Sequence, residues 1–312
     1  PALPRFPLLV GRAMEKLLQT LIIGIVYGSL YALIAMGIVL LYRTTGVLNI
    51  AHGGVGVFAG FIAWDLNSLQ GWPYFPALGL GILVAILIGL AFEFLVVRRL
   101  ASPALATVAT LGLFLILQGF VFIPRRWGST WGQAFVSPVA NKQVQIPGAS
   151  YSVSYDQIIL VTHVVLFFGG IYFMLRRTRL GLAMRAVSDD GVAARLMGIR
   201  QRLVAPVVWG LAFGLSGLTT MLLAPITFLD NLSLTALTLK SIAVAFVGGL
   251  VSLPLTVFGA MLLALLEAST DIYLPRIDGL AQAWPFILML VVLITRFTRG
   301  TKTLEDTAVA GA

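Results

Sequence analysis

The chain has no cysteine, only 2 histidines in 312 residues, and charged residues make up just 11% of it. Without cysteine there are no disulfides, no thiol chemistry and no thiolate metal sites, and the compartment stays open. The shortage of charge excludes more. A water-covered domain carries about 25% charged residues. A chain that is 59% hydrophobic, with a mean hydropathy of +0.99, cannot cover a water-facing surface. The composition therefore predicts an all-α polytopic membrane protein, since helices satisfy their own backbone in lipid. Acids are scarcest, 12 against 21 basic residues, for a net charge of +9. In a membrane chain that excess biases orientation toward an anionic leaflet and implies no nucleic acid. There is no H-E-x-x-H, no Cys/His cluster and no P-loop. The chain is thus expected not to be an enzyme, to bind no metal or cofactor, and not to hydrolyse ATP itself.

What is present is a series of apolar runs of bilayer length. They read Leu17–Tyr42, Val47–Asp65, Ala77–Val97, Ala104–Ile123, Gln157–Leu175, Leu203–Leu223, Ala236–Leu250, Leu255–Asp271 and Leu280–Thr295. This gives about eight or nine transmembrane helices, some short or broken. The Ala236 run is the shortest and Gly-rich after Val247, so a re-entrant segment competes with a full span there. Glu93 falls in the third run, but near its end and among enough Leu, Ile, Val and Phe for insertion to win. Residues 1–13 precede Met14, which opens MEKLLQT before the first run, and read as an N-terminal extension. Residues 14–300 form the membrane domain and 301–312 a tail.

The loop RRTRLGLAMRAVSDDGVAARLMGIRQR, Arg176 to Arg202, holds seven basic residues and two acids. Placing it inside also brings in Arg43, Arg98, Arg99, Arg296, Arg299 and Lys302, thirteen of the 21 basic residues. The C-terminus then lies inside and the N-terminus outside, against the charges of Arg5, Arg12 and Lys16. Within the loop, Asp189 is a candidate N-cap, Val192, Leu196 and Ile199 form an apolar stripe, and Gly198 suits a left-handed helix end. Such a helix would lie outside the bilayer with an apolar face in need of a partner. A basic loop that only sets orientation is the competing reading. On the opposite side, Trp127, Trp131, Tyr151 and Tyr155 read either as interfacial anchors or as a contact surface for a delivering protein.

Gly24, Gly28 and Ala32 in the first run, and Gly56 and Gly60 in the second, recur every four residues and permit close helix packing. Asn49 and His52 stand three apart before Gly53 and Gly54. On a helix they share a face, and a helix end here offers N–H groups to a carboxylate. Met36, Phe58 and Phe61 are candidates for an apolar wall. The alternative is that Asn49 and His52 hydrogen-bond a neighbouring helix. Ser233, Thr235, Thr238, Lys240 and Ser241 read as an outer loop, Glu267 and Asp271 as flanking an outer interface, and His163 as a satisfied interhelical group. Gly214-Leu215-Ser216-Gly217 has the Gly-x-Ser-Gly form of rhomboid proteases, but no histidine follows His163 to serve as the base.

Three stretches carry a family resemblance. YGSLYALIAMGIVLLYRTTGVLNIAHGG (Tyr27 to Gly54) resembles the opening of the branched-chain amino acid ABC permeases of the LivH type, with their Asn-x-Ala-His-Gly signature. The spacing Gly181, Arg185-Ala186, Asp190, Ala193-Ala194, Leu196, Gly198-Ile199 resembles that family's ATPase-docking loop. VGGLVSLPLTVFGAMLLALLEA (Val247 to Ala268) is similar to its Gly-Gly-x-x-Ser segment. Where the family often has an acid after His-Gly, this chain has Gly54. The resemblance implies the permease subunit of an ABC importer for branched-chain or other hydrophobic amino acids, multi-pass in the bacterial inner membrane. Its expected partners are a second permease, two ATP-binding subunits that use the ATP, and an external solute-binding protein. It implies substrate binding by Asn49, His52, Gly53 and Gly54, and ATPase docking by Arg185, Asp190, Val192, Leu196, Gly198 and Ile199. An ion-coupled secondary transporter using Glu93, Glu267 or Lys240 is the alternative.

Overall fold

The computed structural model describes residues 6–122, 132–146, 151–199, 201–277 and 279–310. Trp127 and Trp131 fall outside them. Helix α1 (Phe6–Thr45) is the spine. Its Gly24 and Gly28 bring it against Leu265 and Met261 of α10 (Leu253–Tyr273), so the two run antiparallel in close contact. The glycine spacing seen in the sequence thus packs helices, as expected where lipid gives no hydrophobic drive.

After α1 the chain does not enter a second full span. Gly46 takes φ 72°, a left-handed turn that a Cβ would disfavour, and its N–H donates to the Tyr42 carbonyl at 2.7 Å. Residues 46–51 then run without helix beside α4 (Pro103–Phe122). There the Leu48 N–H donates to Thr107 Oγ1 and the Ile50 N–H to Thr110 Oγ1, each at 3.1 Å. Only at His52 does α2 (His52–Trp64) begin, one short and almost wholly buried helix. The expected span Val47–Asp65 is therefore unwound over its first five residues, because the hydroxyls of α4 supply hydrogen bonds its backbone would otherwise lack in lipid.

A π-helical turn at Asp65–Leu69 leads to α3 (Tyr74–Leu95). Near its end Glu93 is buried and receives two hydrogen bonds from Arg98, at 3.2 and 2.9 Å, which explains how the span tolerates an acid. Beyond α4, a hairpin of β1 (Gln143–Gln145) and β2 (Ser152–Ser154) precedes α5 (Tyr155–Arg177), which opens on a reciprocal Ser154–Gln157 capping box. Then come α6 (Arg179–Asp189), α7 (Gly191–Leu196), α8 (Gln201–Leu223), α9 (Asn231–Val247) and, after α10, α11 (Leu280–Ala310). Among the described residues 6 helices are long and apolar enough to cross a membrane. The shorter apolar α9, the apolar part of α11 and the buried α2 complete the all-α, multi-pass bundle.

Helix α2 is at the centre, enclosed by α3, α4, α8 and α9. Gly56 lies against Ser216 and Thr220 of α8, and Gly60 against Thr220. Large apolar side chains such as Leu87, Leu115, Leu166 and Leu290 are exposed on α3, α4, α5 and α11, as a lipid-facing rim requires. Arg43, Arg176 and Arg185 line one groove with Ser252 and Pro254, so these basic residues share one end of the bundle.

Three expectations change. Helix α9 begins at Asn231 and so contains Ser233 to Ser241 rather than a loop. The hydroxyls of Thr235, Thr238 and Ser241 bond the carbonyls four residues back, which hides their polarity inside a helix. The Ala236 run, for which a re-entrant segment competed with a full span, is a single helix over Asn231–Val247, from the Gln133–Leu229 bridge at one end to the turn beside Ser252 at the other. His163 is satisfied within its own helix, its Nδ1 lying 2.7 Å from the Ile159 carbonyl, and not by a neighbour.

Candidate functional site

The expected substrate residues converge at the start of α2. Asn49 does not share a helical face with His52, since it sits in the unwound stretch, yet both are buried to within 1% of complete enclosure. Neither makes the interhelical hydrogen bond considered above: both side-chain atoms of Asn49 and both ring nitrogens of His52 lack partners among the described residues. The imidazole lies against Gly37 of α1, where a Cβ would stand 2.5 Å from Cε1. Ser216 of the Gly-x-Ser-Gly sequence donates its hydroxyl to the His52 carbonyl and is committed there. Ala51 gives no capping side chain to the first turn of α2, whose N–H groups belong to His52, Gly53 and Gly54. Gly53 abuts Thr238 of α9 and Gly54 abuts Phe114 of α4. Met36 and Phe61 are buried nearby elements of the same core, and Phe58 packs edge-on to Phe120.

A buried polar atom left unpaired costs about 1–3 kcal/mol, so this concentration of free donors and acceptors at a helix N-terminus is expensive in the empty protein. Its chemistry suits an anion, which free N–H groups and the helix dipole both favour. A cleft of about 1020 Å³ reaches toward it from the basic end, lined by Val47, Glu93, Arg98, Arg195, Ile199 and Trp209. Val47 is two residues from Asn49. The indole N–H of Trp209 is another buried donor without a partner.

The expected docking residues form α6 and α7. The N-cap is Asp190 and not Asp189, which closes α6; Asp190 Oδ1 accepts from Val192 N at 2.8 Å and Ala193 N at 3.0 Å. The N–H groups of Ala193 and then Val192 hold its carboxyl below the usual carboxylate range. Gly198 has φ 84°, and Ile199 N to Ala194 O with Gly198 N to Arg195 O complete a Schellman end. The expected stripe divides. Val192 and Leu196 are exposed, at 59% and 85%, but Ile199 turns toward the cleft, because the helix stops at Leu196. Met197, 82% exposed, takes its place. Arg185 is half-buried on α6, its Nε enclosed without a partner.

The sequence reading missed one cluster. Lys240 of α9 lies 2.9 Å from Glu267 Oε1 of α10, an ion pair outside hydrogen-bond angles, and Tyr31 of α1 donates to Glu267 Oε2 at 2.5 Å. Glu267 is thus buried in the bundle and does not flank an outer interface. The available signal was Lys240, the one charge in apolar α9, together with an acid well inside apolar α10.

Comparison with known proteins gives a consistent picture. The family model described as branched-chain amino acid transport system / permease component matches residues 20–295. The high-affinity branched-chain amino acid transport system permease protein BraD of Pseudomonas aeruginosa is 28% identical over 297 residues, covering 90% of this chain and 94% of that one. LivH of Escherichia coli K12, of the same description, is 26% identical over 293 residues, covering 89% and 92%. The autoinducer 2 import system permease protein LsrC of Salmonella paratyphi B is 27% identical over 286 residues, covering 88% and 76%.

Proposed function

The chain belongs to the family of branched-chain amino acid transport permease components, and from that premise we propose that it is the membrane-spanning subunit of an ATP-driven importer for branched-chain or other hydrophobic amino acids. The observation that carries the reading is the family match across residues 20–295. The proposed assembly contains a second, related permease, two ATP-binding subunits and an external solute-binding protein, in the bacterial inner membrane. ATP is consumed by the partners. The chain's C-terminus and the loop with α6 and α7 lie inside, its N-terminus outside.

In this reading α7 is the handle. Val192, Leu196 and Met197 offer the ATP-binding subunits an apolar face, and Asp190 and Gly198 hold the helix ends rigid. Residue 199 is followed almost at once by α8, whose Pro206 cannot donate to the helix ladder and makes a natural bending point. Motion of α7 therefore reaches Trp209 and Ser216, which back the cleft and the start of α2. The substrate carboxylate would meet the first-turn N–H groups of His52, Gly53 and Gly54, with Asn49 and His52 beside it and Met36, Phe58 and Phe61 toward its side chain. The pocket is shut in this conformation, as a resting importer must be to avoid a leak.

Uptake of L-leucine by proteoliposomes holding the whole complex should stop on ATP depletion and survive an uncoupler. Uptake that instead dies with the uncoupler while ATP persists would leave the ion-coupled reading in possession. Sidedness is read with introduced cysteines, since the chain has none of its own. Ser188→Cys should be labelled only from inside and Asn141→Cys only from outside. Ser137 in the same loop is buried and donates to Asp156 at 2.5 Å, so the exposed Asn141 is the position to label.

A further inference from the structure

We propose that Lys240, Glu267 and Tyr31 form a recognition site for the zwitterionic head of an α-amino acid, separate from the start of α2; this rests on the amino-acid permease reading. Tyr31 stands midway along the candidate span Met14–Thr45 and Lys240 midway along α9, so both lie well away from the ends of their helices. Burying an ion pair is expensive: well-packed apolar residues in its place are often as stable or more so. Yet three helices each contribute one member. The Lys240 side chain is still 25% exposed, against 10% for Glu267. A lysine ammonium facing hydrocarbon is strongly disfavoured. The open side of the cluster therefore faces a polar route or the second permease.

The ligand class follows from the charges. A zwitterion crossing the membrane must leave its hydration shell at both ends. Lys240 can take the carboxylate and Glu267 the ammonium, so one internal ion pair is exchanged for two intermolecular ones and no net charge is buried. Tyr31 keeps its hydrogen bond to Glu267 and holds the acceptor in place. The cluster shares its helices with the start of α2. Helix α9 presents Thr238 to Gly53 as well as Lys240 to Glu267, and α1 presents Gly37 to His52 as well as Tyr31 to Glu267. A ligand held here sits on the two helices that also wall the inner polar group.

The competing role is a clamp joining α1, α9 and α10. A single charge removal confuses the two, because it strands the other charge. The neutral double variant Lys240→Met/Glu267→Gln separates them. In the reconstituted complex with its binding protein and ATP, it should assemble and melt like the wild type while L-leucine uptake per assembled complex falls at least ten-fold. Uptake within two-fold of wild type in an assembled double variant overturns the proposal. Should the double variant fail to assemble, Ala236→Cys, an exposed position one helical turn before Lys240, gives a second reading in this cysteine-free chain with both charges still in place. L-leucine should slow its labelling by a small thiol reagent several-fold, and leucinamide, which lacks the carboxylate, should not. Equal labelling rates with and without leucine overturn the proposal. A wild-type complex that takes up no amino acid at all overturns the permease reading itself, a distinct outcome.

Discussion

The start of α2 and the helix α7 violate opposite rules. At α2, the surface is sealed but polar groups go without partners: the Asn49 amide and the His52 imidazole are both buried and unpaired among the described residues. At α7, every local polar need is met, by Asp190 at one end and the Schellman turn at the other, but Val192, Leu196 and Met197 stand in water. Each region is unfavourable by itself, and each is relieved by something the isolated chain lacks. A polar deficit in a sealed core calls for a polar ligand. An apolar surplus on a capped, rigid helix calls for a protein surface. The lesson is that the kind of dissatisfaction identifies the kind of partner.

The largest expected effect breaks the α7 half. Leu196→Asp places a charge on a side chain 85% exposed in the free chain, so folding should be unchanged within about 0.5 kcal/mol. In the complex the same charge would be buried unpaired, at a cost of several kcal/mol. Co-purification of the ATP-binding subunits should fall ten-fold or more while membrane insertion persists; undiminished capture would return the loop to a mere orientation signal. Next, Gly56→Val tests the packing that seals α2. Its Cβ would lie 2.5 Å from Thr220 Oγ1 and 2.8 Å from the Ser216 carbonyl, so overpacking of about 1–3 kcal/mol should lower the melting temperature measurably. An unaltered melting curve would mean that α2 is not held as described.

His52→Leu sharpens the other half. It removes two unpartnered nitrogens from a closed core, so the empty protein should melt at the same temperature or higher. Uptake per assembled complex should nevertheless fall by roughly ten-fold, the equivalent of about 1.4 kcal/mol. Lower stability with normal uptake would make His52 a packing residue. The smallest effect concerns pH at α7. The Asp190 carboxyl is depressed in the folded chain by the Ala193 and Val192 N–H groups. Its cap is therefore complete above the ordinary carboxylate pKa of about 3.9 and is lost as pH falls through the lower folded value. Amide exchange at Val192 and Ala193, corrected for intrinsic rates, should speed up in that acid window, and Asp190→Asn should flatten the dependence.

How much of this was legible in the sequence depended on range. The loop of α6 and α7 obeyed rules that act over four or five residues, so α7, its Gly198 turn and two of the three residues of its apolar face could be read directly, whereas α6 was not. The error of one residue, Asp189 for Asp190, arose because α6 continues to the first of two adjacent acids. The start of α2 was legible as a polar group beside glycines but not as an unwound strand, because what holds that strand is Thr107 and Thr110, on another helix. Glu267 and Lys240 were misplaced for the same reason: each partner lies on a different helix, and an i, i+4 acid pair or a run of Ser and Thr looks like surface when read along one chain.

The unwound stretch from Gly46 to Ala51 has an electrical consequence. The cleft that begins beside Val47 carries Arg98 and Arg195 on its walls and is roomy enough for water. Solution filling that cleft would thin the packed layer across which a membrane voltage drops. A unit charge carried through that layer is worth about 2.3 kcal/mol per 100 mV. A zwitterion carries no net charge through it, so voltage neither helps nor hinders its passage, and the same thin layer charges a full electrical toll on any cation or anion that tries to follow.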